Sequence, residues 1–246
     1  MLWYHSRGNS SLSQVPRDTL KKVGDPLELV MNSALPCDTA EVEQYSSKFE
    51  DHELRKILYK IASLQRSNGE IRDSIKIVLL GWNWRAYNNT DLTNSDLNDQ
   101  IEEFIRTNQK LLDYLAGAGH TLETVDFSKS VDGSSVGEHV LVGFSKLYEM
   151  EAIGSTGASK AFHMLYPPVF MMWDRAIIER YHRRGESSHQ EAGTGKGKHA
   201  KGQGECYLEF LKETQHFVQT KLNMAVFPNK TPAKVMDEYN YAKYTL

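Results

Sequence analysis

Apolar residues recur at three- and four-residue intervals through most of the chain. Leu54, Ile57, Leu58, Ile61 and Leu64 share one helical face, and Thr39 is a good N-cap upstream with Glu41 and Glu43 after it. The spacing therefore predicts a helix over 39–67, closed by Ser67-Asn68-Gly69. A second, nearly all-buried helix follows through Ile71, Ile75, Val78, Leu79 and Trp82. The polar stretch 88–94 is a turn. Ser95 then caps a helix with Leu97, Ile101, Phe104, Ile105, Leu111, Leu112 and Leu115 on its apolar side, stopped by Gly117-Ala118-Gly119. Residues 122–127 read as a short strand or a packed loop. A further helix runs from Ser135 to Met150.

After Tyr181 the periodicity stops. Residues 183–204 hold six glycines, five Lys/Arg against two Glu, and no large apolar side chain. Such a stretch buries too little surface to offset its ordering entropy, so it reads as a mobile, locally basic insertion. Helical periodicity resumes over 205–223, and Thr231-Pro232 opens a tyrosine-rich C-terminal helix. Residues 1–15 read as a loose arm, with short helices starting near Pro16 and Pro26. Alternating β-branched patterns are almost absent. The expectation is an all-α, multi-helix fold, for which one domain or two packed lobes both fit.

Composition narrows the classes. The chain has 246 residues, 40% of them hydrophobic and 25% charged, which suits a globular protein. A net charge of −3 argues against a wholly basic nucleic-acid binder, though a local basic patch is enough to hold phosphates. Cys37 and Cys206 stand in no metal-ligand spacing, which fits a reducing cytosol, or a nucleus in a eukaryote. No apolar run reaches the roughly 20 residues needed to cross a bilayer, and the polar, Ser-rich N-terminus has no secretory pattern. The expectation is no membrane partner. His182, His189 and His199 match no compact metal motif, and no cofactor is expected.

The segment 153–181 concentrates the candidate chemistry. Gly154 and Gly157 flank Ser155-Thr156, and the spacing predicts a tight turn with a helix starting at Gly157. Exposed backbone N–H groups at such a turn suit phosphate contact, and Lys160 falls in the helix's first turn. A Pro-Pro break and Asp174, at the head of a further helix, follow. Read structurally, the glycines make a tight corner, Asp174 is an N-cap and Lys160 a solvated charge.

Gly157-Ala158-Ser159-Lys160-Ala161 and Trp173-Asp174-Arg175-Ala176-Ile177 resemble two segments of the helix–hairpin–helix DNA glycosylases of the endonuclease III type. The resemblance covers about 30 residues. It implies an all-helical, two-lobed fold, DNA as partner, and contacts to DNA from Gly154, Ser155, Thr156, Gly157, Ser159 and Arg175. It implies a target base flipped into a pocket between lobes. Lys160 would be the amine that attacks the sugar, and Asp174 the group that activates the nucleophile or stabilises the sugar's positive charge. The chain departs from the family pattern in three ways. Its glycines stand three apart rather than two, no iron–sulfur cysteines are present, and Ser159 occupies the strict nucleophile position. Lys160 is one residue later, about 100° around the helix. With Lys160 facing the pocket the implied activity is a glycosylase with lyase action. With Ser159 there, Asp174 alone would activate water. Trp82 and Trp84, flanking Asn83, would line a base pocket by stacking, or else form a core pair at a helix end.

Overall fold

The computed structural model describes residues 35–49, 67–87, 95–150, 153–181 and 196–245. The expected N-terminal arm, residues 50–66 of the first expected helix, the turn 88–94 and residues 182–195 lie outside the described residues.

The chain is all-α. Its helices are α1 (Thr39–Phe49), α2 (Asn68–Tyr87), α3 (Ser95–Thr107), α4 (Gln109–Gly117), α5 (Val136–Glu149), α6 (Gly154–Leu165), α7 (Arg175–Tyr181), α8 (Lys196–Lys221) and α9 (Pro232–Tyr244). Two-residue strands at Ser130–Val131 and Ser134–Ser135 pair as a small hairpin. Its turn residues Asp132 and Gly133 have φ of 52° and 87°, the left-handed pair that such a hairpin needs.

Caps explain several boundaries. Ser135 and Glu138 exchange side-chain and backbone bonds in a capping box at the head of α5. The Thr231 hydroxyl accepts the Lys234 amide ahead of α9, with Pro232 in the first turn.

Helices α3 and α4 correct the expectation of one continuous helix. The break falls at buried Asn108, whose amide donates to Phe104 O at 2.8 Å and whose N–H is shared between Phe104 O and Ile105 O, each at 3.1 Å. A side chain competing for helix carbonyls interrupts the ladder without glycine or proline. Residues 122–127 form a packed loop, with Leu122, Val125 and Phe127 buried.

The insertion is also corrected. Helix α8 starts at Lys196, nine residues before the expected start at Glu205. Gly204 faces α5 so closely that a Cβ there would stand 2.6 Å from Leu141 O and 2.7 Å from Ser145 Oγ. This glycine permits helix contact rather than chain mobility.

The core centres on Phe162 of α6. Its ring lies 5.3 Å from Phe104, 5.0 Å from Phe170 and 6.3 Å from Phe144, edge-on to the first two and stacked on the third. Gly143 makes room for it, since a Cβ there would meet Phe162 Cζ at 2.8 Å. Helix α6 is thus held between α5 and α2 by its apolar face, and α9 packs on α1. No helix among the described residues is long and apolar enough to cross a membrane.

Candidate functional site

Residues 166–174 connect α6 to α7 without regular structure, yet neighbouring elements hold them along their length. Leu122 N–H donates to Pro168 O at 2.9 Å, and Tyr207 Oη donates to Met171 O at 2.7 Å. His163 Nδ1 donates to Phe170 O at 2.6 Å, and Met172 N–H donates to Asp237 Oδ1 at 2.9 Å. Trp173 N–H donates to Ser159 Oγ at 3.0 Å. These loop backbone groups are paired with side chains from α6, α8 and α9 and with the Leu122 backbone, which gives an irregular segment a defined path.

That path closes a cavity of about 420 Å³ among α6, the loop, α7, α9 and the end of α1. The size is within the range of small-molecule sites. Lys160 and Asp174 both line it, with Lys234 and Asp237 from α9. Phe49 and Tyr241 supply an aromatic wall, their rings 5.6 Å apart and edge to face.

Lys160 belongs to a residue only 7% exposed, so it is a cavity lysine and not the solvated surface charge of the structural alternative. Asp174 caps α7: its Oδ1 accepts Ile177 N–H at 3.0 Å, and its Oδ2 accepts the Thr245 hydroxyl at 2.6 Å. The capping role and the cavity position therefore coexist in one side chain. Arg175 is exposed and pairs with Glu179 at 2.7 Å on the surface of α7.

The expected turn between Gly154 and Gly157 is corrected. Helix α6 begins at Gly154, whose φ of +58° only glycine adopts readily, and Gly157 lies buried within the helix. Ser159 is also fully buried, its hydroxyl placed 2.9 Å from Thr156 O and 3.0 Å from Trp173 O. Gly157 and Ser159 are buried and leave no surface for a DNA backbone, and neither lines the cavity. Ser155 and Thr156 remain half-buried at the head of α6, with Ser155 Oγ donating to Gln203 Oε1 at 3.1 Å and Thr156 lining the cavity. Trp82 and Trp84 run in α2, but their side chains lie outside the described residues, as does that of His199 in α8.

Lys234, Asp237, Phe49 and Tyr241 were not singled out in the sequence. A signal for Asp237 exists: it sits in register with Ala233, Met236 and Asn240, placing a carboxyl on a buried helical stripe.

Burial dominates the electrostatics. It pulls the Lys234 ammonium below its ordinary range, against the nearby Glu238 and Asp237 carboxylates. It pushes the Asp237 carboxyl well above the usual range, against the opposing pull of Lys234 and the Met172 N–H. Burial also brings His163 down to about 3. Its Nδ1 lies 3.2 Å from Asp237 Oδ2, but with a neutral ring whose proton points to Phe170 O the two form no ion pair. Glu238, buried beside the cavity wall, accepts from Lys230 Nζ at 2.9 Å and from the Ser46 hydroxyl. No group of three or more His, Cys, Asp or Glu suited to a metal occurs among the described residues.

Taken together, Lys160, Asp174 and Arg175 from one part of the chain and Lys234 and Asp237 from α9 line one cavity with the Phe49 and Tyr241 rings. The chain matches no protein-family model, no curated protein and no solved structure.

Proposed function

We propose that this is a DNA-binding, repair-type protein, resembling helix–hairpin–helix glycosylases, that takes an extrahelical nucleotide into the cavity and excises its base. One observation carries the reading: Lys160 and Asp174, 14 residues apart in the chain, line the same aromatic-walled cavity. Helices α5 and α6 pack against each other ahead of it, and the head of α6 with exposed Arg175 gives the phosphate side of the interface.

Two routes use these residues. In the first, the neutral Lys160 amine attacks the sugar C1′ and the C1′–N bond to the base breaks. One amine proton leaves with the base and the other goes to the ring oxygen as the sugar opens to an imine. In the second, Asp174 takes a proton from water as the water oxygen bonds to C1′ and the C1′–N bond breaks, and that proton then passes from Asp174 to the departing base.

A noncatalytic nucleic-acid-binding reading is favoured by one fact: both Asp174 oxygens are already engaged, by Ile177 N–H and by Thr245.

Borohydride trapping on duplex DNA with a single abasic site tests the first route, using wild type, Lys160→Ala and Asp174→Asn. The expected result is a covalent adduct lost in Lys160→Ala. Base release from companion duplexes that each carry one damaged base, without an adduct on the abasic duplex, assigns the second route. Salt-sensitive binding with neither leaves the noncatalytic reading. No adduct, no base release and no salt-sensitive binding overturns the proposal.

A further inference from the structure

Side chains of α1, α9 and α7 form a row of three tyrosine rings with a cation at each end. Lys48 Nζ stands 4.4 Å from the centre of the Tyr45 ring. Tyr45 meets Tyr239 at 5.6 Å, and Tyr239 meets Tyr244 at 6.3 Å, both edge to face. The Arg180 guanidinium closes the row, 5.9 Å from the centre of the Tyr244 ring. Phe49 and Thr245, which follow Lys48 and Tyr244 in the chain, line the cavity, so the row passes close to it.

The middle of the row is satisfied within the protein. Tyr239 is fully buried. Lys243 Nζ lies 5.7, 5.0 and 5.4 Å from the Tyr45, Tyr239 and Tyr244 rings and pairs with Glu41 at 2.6 Å. The ends differ. Lys48 and Arg180 are exposed, and neither pairs with a carboxylate among the described residues. Tyr45 and Tyr244 are half-buried, so part of each side chain reaches solvent. A tyrosine face holds an exposed cation only weakly, so a phosphate can take either end cation without breaking an ion pair.

A ligand that uses both ends must offer negative charge to Lys48 and Arg180 and a flat surface to Tyr45 and Tyr244. An acidic peptide offers the charge alone. A duplex offers the charge but keeps its base faces stacked inside. A single strand has phosphates together with bases free to stack, and proteins that hold single strands combine cations with aromatic side chains in this way.

We propose that the row from Lys48 to Arg180 is a docking surface for single-stranded nucleic acid, with the two end cations on phosphates and the Tyr45 and Tyr244 rings against bases. The inference goes beyond the reading of the cavity and does not depend on base excision.

The test follows the fluorescence anisotropy of dye-labelled oligothymidylate and oligouridylate, about 12 nucleotides each, titrated with the full chain. The variants are Lys48→Gln combined with Arg180→Gln, both at exposed positions outside the cavity lining, and Tyr45→Leu. The expected result is binding by wild type, with the slope of log affinity against log salt reduced by about 0.7 for each cation removed. Folded Tyr45→Leu should bind roughly tenfold more weakly at an unchanged slope. Tighter binding of one oligomer than of the other supports the inference and identifies DNA or RNA as the source of the strand. No binding of either oligomer, or affinity and slope unchanged in the double cation variant, overturns it. Full affinity in Tyr45→Leu overturns the stacking on which it rests. Binding of labelled polyglutamate with the same loss in the double variant makes the surface a site for an acidic protein and overturns it. An adduct on the abasic duplex without single-strand binding overturns this inference alone. Single-strand binding of the expected pattern, with neither adduct nor base release, ends the excision reading and supports this inference.

Discussion

Trp173 N–H donates to the Ser159 hydroxyl at 3.0 Å, and the residue that follows each of them, Asp174 and Lys160, lines the cavity. One buried bond between α6 and the loop thus brings the two candidate chemical groups to one place. Ser159 stands where the resemblance has its nucleophile, and here its hydroxyl is engaged by the backbone of Thr156 and Trp173.

Ser159→Ala tests that role. It leaves the buried Trp173 N–H without its acceptor, which costs about 1–3 kcal/mol. Urea unfolding should show a lower midpoint with an unchanged slope. Any adduct or base release should fall as well, although Ser159 touches no substrate. A variant with full stability and full activity would remove the bond from the account of the site.

The capping of α7 by Asp174 and the catalytic role proposed for it are separable by substitution. Asparagine is as good an N-cap as aspartate, so Asp174→Asn should keep the stability of α7. Asp174→Ala should cost about 1 kcal/mol through loss of the cap. If the carboxylate also activates water, both variants lose base release. Equal activity in wild type and Asp174→Asn would confine Asp174 to capping.

Much of the fold was legible in the sequence because amphipathic spacing reports directly on buried faces. Leu97, Ile101, Phe104 and Ile105 repeat as a helix does, and all are buried. The break at Asn108 was not legible, since an asparagine that turns back onto the Phe104 carbonyl leaves no trace in the apolar pattern. Gly204 misled for a related reason: composition does not distinguish a glycine needed for close helix contact from one that loosens a chain. Of the site, Lys160 and Asp174 were legible from a local motif. Lys234 and Asp237 were not, because they reach the cavity only when α9, about 60 residues further on, packs beside the loop.

Gly204→Ala checks the contact between α5 and α8. The added methyl would stand 2.6 Å from the Leu141 carbonyl oxygen, a backbone atom that cannot rotate away. The helices must shift apart, and overpacking of this kind costs about 1–3 kcal/mol. Because alanine is the better helix former, a variant of unchanged or higher melting temperature would show that the two helices do not approach this closely.

His163 gives the fold a pH dependence with a defined sign. Burial lowers its pKa from 6.5 to about 3, so the ring stays neutral inside while the unfolded chain takes up a proton. Its contribution to stability is complete above about 6.5 and is lost as pH falls through the window down to about 3. The steepest part of that loss is about 1.4 kcal/mol per pH unit for one proton. Glu41 acts in the same direction lower down. Burial raises its pKa, but hydrogen bonds from the Cys37 amide, Lys243 and Tyr239 outweigh that and bring it to about 2. Asp237, 3.2 Å from the ring, works in the opposite sense, because burial raises its pKa and the folded form then holds a proton that the unfolded chain releases. His163→Asn separates these contributions. The asparagine amide takes the place of Nδ1–H toward Phe170 O and does not titrate. Melting temperature measured across the window should fall less steeply with acid in His163→Asn than in wild type, whatever the offset at neutral pH. Parallel curves would mean that His163 does not enter the fold as a buried neutral ring.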